Sequence, residues 1–288
     1  MVHVDIVEME VDDVHGRRYG MVLVEDLTRG KWVYPLKLKS DAGASLQAHC
    51  RQEGPMSILR ADGDGAFGGK AASPKVYAFG DTTGVLAVCS MYGIRRQETV
   101  PEAHDQMGVA EAAIRRGTET ARTLLYAANL PKQFWAHALQ HWAAVDGFTV
   151  NTAKGASPYK LRYGEAPVRQ IRKLRTFGAR VSFYGNRDDA TKLDMPGHRG
   201  VYLGTNSDNG GYIILDVEAV DAVVVTTVDV QQASFDEVSF REPVGCDDDD
   251  LRFTQYDLPR MSGFAYPPVR AIHETVLAPS EGLLLPAG

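Results

Sequence analysis

The chain has 288 residues, 44% of them hydrophobic and 24% charged, with a formal net charge of −6. That much apolar sequence can bury one large core or two modest ones, and it excludes a chain disordered throughout. No run approaches the roughly 18 uninterrupted apolar residues that a membrane-spanning helix needs, and Met1 is followed by His3 and Asp5 rather than by a secretory leader. Cys50, Cys89 and Cys246 lie too far apart for a Cys-x-x-Cys zinc half-site or a disulfide framework, so small buried or free thiols are expected.

In chain order, His3 to Val7 alternates as a strand does, and two apolar runs follow, Tyr19–Val24 and Lys31–Leu36, with Gly16 and Gly30 as turn residues. Residues 40–53 read as a weak helix. Met56–Ala61 reads as a fourth strand, ending at the turn-prone Asp62-Gly63-Asp64-Gly65. A Gly/Lys/Ser-rich stretch (68–75) leads to a second weak helix over 82–92 and a short strand, Ile94–Val100. The clearest helix spans about 108–129, with apolar residues at 110, 113, 114, 121, 124, 125 and 128. Pro131 opens another, carrying Phe134, Trp135, Leu139 and Trp142 at core spacing. This order suits a mixed sheet with helices packed against it. Beyond residue 170 the pattern turns all-β, with short strands at Phe177–Tyr184, Val201–Gly204, Tyr212–Leu215 and Val223–Val230, as in a small barrel. The acidic run Asp247–Asp250 and the Pro/Gly-rich end look like a tail, and there is no internal repeat.

The net charge hides an asymmetry. Residues 95–200 carry 17 Lys/Arg against 10 Asp/Glu, whereas residues 201–288 carry 4 against 15. A basic middle beside an acidic end is what a polyanion-binding surface would look like, although a solvated charged face gives similar counts. The stretch 160–199, with 10 basic and 4 acidic residues, is the better candidate for sequence-independent backbone contact. Within it stand Arg172, Lys173 and Arg175.

Three carboxylates carry the candidate chemistry. Asp5 sits mid-strand, where an acid facing a core is costly unless paired or metal-bound. Asp62 ends the fourth strand, and Glu111 lies in the first turn of the strong helix. An all-oxygen cluster of this kind suits Mg²⁺, and two such ions can activate a nucleophilic oxygen and stabilise a leaving oxygen. Each residue also has a plainer account: turn chemistry for Asp62, dipole complementation for Glu111, solvent exposure for Asp5. Arg115 and Arg122 share a helix face with Glu111 and suit phosphate, or alternatively form a Glu–Arg pair on a solvated face. His3, His49, His137 and His141 lack Cys partners at metal spacing and read as surface or core histidines.

The ordered motifs resemble the integrase region of copia-type retrotransposon polyproteins. VHVDIV is similar to the family's His-Thr-Asp strand, and RYGMVLVEDLTRGKWVYPLKLKS follows its Arg-Tyr…Trp-Val-Tyr segment nearly position by position. LRADGDGAF, YGIRRQETVP and GVAEAAIRRGTETARTLLYAANLPKQFWAHA continue the likeness. SPYKLRYGEAP, LRTFGARV, KLD, GVYLG, GGYIILD and TTVDV carry it to about residue 237.

The resemblance implies an α/β ribonuclease-H-like core over 1–130 and a helical linker over 131–172. An SH3-like β-barrel over 173–237 and an acidic, Pro/Gly-rich tail over 238–288 would follow. It places the catalytic and metal-holding triad at Asp5, Asp62 and Glu111, with two Mg²⁺ or Mn²⁺ ions. The nucleic-acid contacts fall to Arg115, Arg122, Arg172, Lys173 and Arg175. The implied activity is cleavage of DNA ends and strand transfer into target DNA by a homo-multimer, nuclear or in a virus-like particle, with no membrane and no small-molecule substrate. The sequence departs from the family at several points. The interval between Asp62 and Glu111 holds 48 residues, with an apparent insertion around 68–85, and Met107 and Ala112 replace polar residues. The chain also begins four residues before Asp5, without the upstream His/Cys segment, and no reverse-transcriptase motif follows. Those features suit a polyprotein fragment. The alternative is a catalytically inactive, decayed remnant that at most binds nucleic acid.

Overall fold

In the computed structural model, which describes residues 1–61, 67, 84–98, 104–184, 197–206, 209–219 and 224–235, the apolar runs of the first third form one mixed sheet. Strand β1 (Val2–Glu8) pairs antiparallel with β2 (Tyr19–Glu25), which pairs antiparallel with β3 (Lys31–Leu36). Helix α1 (Ala42–Glu53) stops at Gly54, whose φ of +86° suits a residue without a Cβ. It returns the chain to β4 (Ile58–Ala61), which lies parallel to β1 with Val4 opposite Ala61. Helix α2 (Val85–Tyr92) and β5 (Arg95–Glu98), parallel to β4, complete the order β3-β2-β1-β4-β5. Asp62 and the stretch 68–83 lie outside the described residues.

Alternation along the strands divides the apolar residues between two faces. Val2, Val4, Met21, Leu23, Leu59 and Ala61 pack with Leu46 of α1 and Val88 of α2. Val22, Val24 and Val33 point the other way, against α3 (His104–Ala128) and α4 (Trp135–Phe148). The stripe Ala110, Ala113, Gly117 and Ala121 forms the buried side of α3. Asn129, with φ +51°, ends the helix, and a 3-10 turn over Lys132–Phe134 redirects the chain into α4. Phe134, Trp135 and Trp142 are core residues, as their spacing implied.

Two short helices follow, α5 (Pro158–Tyr163) and α6 (Val168–Lys173). Ser157 caps α5 by accepting from the Lys160 N–H at 3.3 Å. The strands β6 (Arg180–Tyr184), β7 (Gly197–Thr205), β8 (Tyr212–Asp216), β9 (Val224–Val228) and β10 (Ala233–Phe235) form a second sheet. It is antiparallel throughout, in the order β10-β6-β7-β8-β9. The expected small barrel is instead an open sheet: among the described residues its edges, β9 and β10, do not pair with each other. After β9 a 3-10 turn carries the chain to β10, only three residues long, on the far edge. That fifth strand was missing from the sequence expectation.

The two sheets share apolar packing. Val201, Leu203 and Leu215 of the second sheet, with Val217 just after β8, join the same cluster as Val22, Val24 and α4. Cys50 and Cys89 are buried free thiols, and burial pushes both thiols up; Cys246 lies outside the described residues. Among the described residues no helix is long and apolar enough to cross a membrane.

Helices α3 and α4 approach closely at Gly117, where an added Cβ would stand 2.7 Å from the Trp142 ring. Alanine in a helix is ordinarily favoured over glycine by about 1 kcal/mol. Overpacking a rigid, buried indole costs roughly 1–3 kcal/mol, so the clash should win. Gly117→Ala should lower the denaturation midpoint, and Trp142→Leu in that background should recover part of the loss. Chemical denaturation of the three proteins checks this, and a stabilised Gly117→Ala would show that the helices part easily.

Candidate active site and nucleic-acid interface

Asp5 lies at the centre of β1 and is half-buried, with Oδ1 accepting the Ile6 N–H at 2.7 Å. Its partner across the ladder is Val22, whose side chain packs toward α3 and α4. Cross-strand partners project to the same face, so Asp5 shares the sheet face that α3 covers. The neighbouring pair Val4 and Leu23 packs to the opposite face, as the alternation requires. On β4 the described strand ends at Ala61, beside Val4. Asp62, the second candidate, follows Ala61 in sequence and lies outside the described residues.

Glu111 stands on α3, which packs across β1 and β2. Its neighbour Ala110 is fully buried, and Glu111 itself is exposed. Arg115 and Arg122 are exposed too, at offsets of one and three turns that put them on the same side of the helix as Glu111. No Glu111–Arg115 ion pair forms among the described residues, so the helix-surface pairing offered as the plainer account is not made. Among the described residues no three His, Cys, Asp or Glu side chains group to hold a metal ion. Asp5 and Glu111 are placed; their third partner is not among those residues.

The histidines take the plainer role. His3, His49, His137 and His141 are all buried, and burial pushes each below the usual imidazole range. His49 falls to about 4 and accompanies Tyr34, whose hydroxyl lies 2.9 Å from Nδ1. His137 falls to about 3, with Arg17 and His15 adding to the effect of burial. His141, at about 4, sits among the rings of Phe177 and Tyr202.

A cleft of about 710 Å³ opens between the edge strand β3, helices α4 to α6, and β7. Trp32, Tyr34, Tyr159, Arg162, Arg169 and Lys173 are among its lining residues. Sequence reading had no means to find it, since its walls come from residues 30 to 213. Arg162 anchors one wall. It bonds Glu25 at 2.8 Å, approaches Glu53 at 3.3 Å, donates to the Glu53 carbonyl at 2.7 Å and lies 4.9 Å from the Trp32 ring. Burial is the largest single effect and disfavours its charge, but Glu25 and Tyr163 together outweigh it and raise its pKa. Lys31 and Asp146 form a second ion pair in the same region.

The basic α6 segment behaves differently. Arg169 and Arg172 are exposed, Lys173 donates to the Gly210 carbonyl at 3.1 Å, and Arg175 donates to the Arg172 and Leu174 carbonyls at 2.8 and 2.9 Å. Among the described residues none of the four meets a carboxylate.

His49, His137 and His141 set a pH dependence. Each folded pKa lies below the free value of 6.5, so protons bind more readily to the unfolded chain. Their contribution is complete above about pH 6.5 and is lost as the pH falls toward 4 for His49 and His141, and toward 3 for His137. Within that window each histidine costs up to about 1.4 kcal/mol per pH unit. Melting temperature should drop steeply from pH 6.5 to 4, and His141→Phe should flatten the drop by about one proton's share. Thermal melts across that range check it; an unchanged slope would mean that His141 is hydrated in the fold.

Curated proteins that match the chain include three Pol polyproteins of plant transposons. It is 28% identical over 218 residues to the retrovirus-related Pol polyprotein from transposon TNT 1-94 of Nicotiana tabacum, covering 72% of this chain and 15% of that protein. It is 25% identical over 211 residues to the Pol polyprotein from transposon RE1 of Arabidopsis thaliana, covering 70% and 13%. To that from transposon RE2 of the same plant it is 22% identical over 226 residues, covering 75% and 14%. The chain thus spans about a seventh of the length of these relatives. No family model matches the sequence. These relatives bear out the resemblance its motifs carry: the chain is related to copia-type retrotransposon polyproteins.

Proposed function

We propose that the chain is the integrase region of such a polyprotein, cutting DNA ends and joining them to target DNA. In this reading residues 1–130 are a ribonuclease-H-like core, 131–172 a helical linker, 173–237 an SH3-like module and 238–288 an acidic tail. The strand order β3-β2-β1-β4-β5, with α3 across β1 and β2, supports the first assignment. Five antiparallel strands with a 3-10 turn before the short last one support the third.

One observation carries the functional reading. The register turns Asp5 toward the face that α3 covers, and α3 bears Glu111 on an exposed side; Val4 and Ala61, which precede Asp5 and Asp62 in sequence, are paired. The donor chemistry fits hard divalent ions, since all three side chains offer carboxylate oxygens. Asp5, Asp62 and Glu111 would hold two Mg²⁺ or Mn²⁺ ions. Such ions supply an activated nucleophilic oxygen and charge neutralisation at the leaving oxygen. The chain's own part is to hold the acids rigidly: Asp5 on a strand flanked on both sides, Glu111 on a helix whose buried stripe is locked against the sheet. Arg115 and Arg122 would meet phosphates beside the acids, and Arg172, Lys173 and Arg175 would hold the strand farther away. The decayed-remnant alternative draws on Met107 and Ala112, which lack the polar groups the resemblance would place there.

Metal binding, DNA affinity and chemistry test these statements separately. Mg²⁺ or Mn²⁺ should raise the melting temperature of the chain and support nicking of element-end DNA, and Asp5→Asn should remove both effects. A metal-independent melting temperature would sink the metal site. Metal stabilisation without nicking would favour the remnant.

Duplex affinity should fall steeply with salt and depend little on sequence. Neutralising Arg172, Lys173 and Arg175 together should reduce the slope of log K against log salt by about 3, one unit for each phosphate contact. An unchanged slope places the DNA elsewhere.

A further inference from the structure

The cations of α6 have no carboxylate partner among the described residues, yet the most acidic part of the chain begins beside them. Strand β10 ends at Phe235, and the Arg175 guanidinium lies 5.1 Å from the Phe235 ring and 5.9 Å from that of Tyr212. The chain therefore passes Arg175 just before Asp236 and Glu237, with Glu242 and Asp247–Asp250 to come. Segment 236–250 carries seven of the last 53 residues' ten acids.

Reach and charge both favour contact. An extended chain advances roughly 3.3 Å per residue, so the 11 residues separating Phe235 from Asp247 span far more than α6, a six-residue helix. Tethering gives the acids an effective concentration on the order of millimolar at any site within reach. The surface offered is mixed: Val168 and Ile171, half exposed, each immediately precede one of Arg169 and Arg172 in sequence. Val238 and Phe240 stand among the acids of the segment, so the same stretch supplies both kinds of partner.

We infer that segment 236–250 docks on the basic side of α6, against Arg169, Arg172, Lys173 and Arg175, and competes there with nucleic acid. The competition, though not the docking, rests on the assignment of these cations to DNA. A phosphate backbone and a row of carboxylates seek the same guanidinium and ammonium groups, and both are weakened by salt. The intramolecular acids thus act as a filter. A duplex long enough to engage several cations displaces them, and a short or weakly charged ligand does not.

The intact chain provides its own probe site. Cys50 and Cys89 are buried with thiols pushed up by burial, so a maleimide at neutral pH favours Cys246, adjacent to Asp247. A photoactivatable maleimide at Cys246, irradiated without DNA, should cross-link to residues 168–175, and high salt should abolish the products. Cross-links elsewhere, none at all, or products indifferent to salt overturn the docking. In parallel, the full-length variant with Asp247, Asp248, Asp249 and Asp250 all changed to Asn should bind duplex DNA about tenfold more tightly at low salt. Unchanged affinity overturns the competition. If neither protein binds DNA while the α6 cross-links form, docking stands and the nucleic-acid reading of α6 fails.

Discussion

Helix α4 is buried on nearly all sides, and the remainder of the fold is arranged around that burial. Trp135, Ala136, His137, Ala138, Leu139, His141, Trp142 and Ala143 are all enclosed. A helix apolar all round needs cover all round, and here β3 covers one side, α3 another and β7 a third. Its alanines let backbones come close, and its two tryptophans fill what remains. Trp135 also satisfies its indole N–H by donating to the Val11 carbonyl at 3.0 Å, which ties the loop after β1 to the helix. Two histidines in such a place stay neutral, because a charged imidazole there would lose its hydration without a compensating partner. The same helix thus fixes both the sheet face on which Asp5 lies and the position of the second sheet.

Where charge enters the interior, it is neutralised in place. Asp13, itself buried, accepts from the His15 and Arg17 amides at 2.9 and 2.8 Å and from the Arg17 guanidinium at 2.6 Å. Arg162 carries Glu25 and Glu53 into contact with α5, so the short linker helix is held to the edge of the first sheet by a two-carboxylate bridge. Helices of six residues cannot persist on their own propensity, because nucleation is costly. α5 depends on this bridge, and on the Ser157 cap, for its position.

The strongly periodic parts of the fold were legible in the sequence, and the parts that depend on distant partners were not. The run of β2 and the stripe of α3 state their own burial, and the stripe at 110, 113 and 121 already implied that Glu111 points outward. Asp5 was marked by its unlikely place in a strand, but its face became known only through its pairing with Val22. The short helices α5 and α6 and the three-residue β10 carry too few residues for a period to emerge, and tertiary contacts decide them. The open edge of the second sheet was equally hidden, since strand spacing alone does not say whether edges meet. Asp62 and the 68–83 stretch lie outside the described residues, so the third acid rests on the sequence alone.

The distribution of charge separates two populations that composition had merged. Arg17, Lys31 and Arg162 belong to the architecture, each committed to a carboxylate near the core. Among the described residues Arg169, Arg172, Lys173 and Arg175 meet no carboxylate: Lys173 and Arg175 contact carbonyls and rings, and Arg169 and Arg172 are exposed. Evenly solvated faces mix the two signs, because like charges held side by side repel. Four neighbouring cations with no carboxylate among the described residues repel one another, and a polyanion that reaches them relieves that repulsion. Part of the basic excess of the middle of the chain thus lies, after folding, on one short segment beside the second sheet. That segment lies where the chain leaves the described fold toward its most acidic stretch, so the two halves of the sequence's charge asymmetry meet at Arg175 and Phe235.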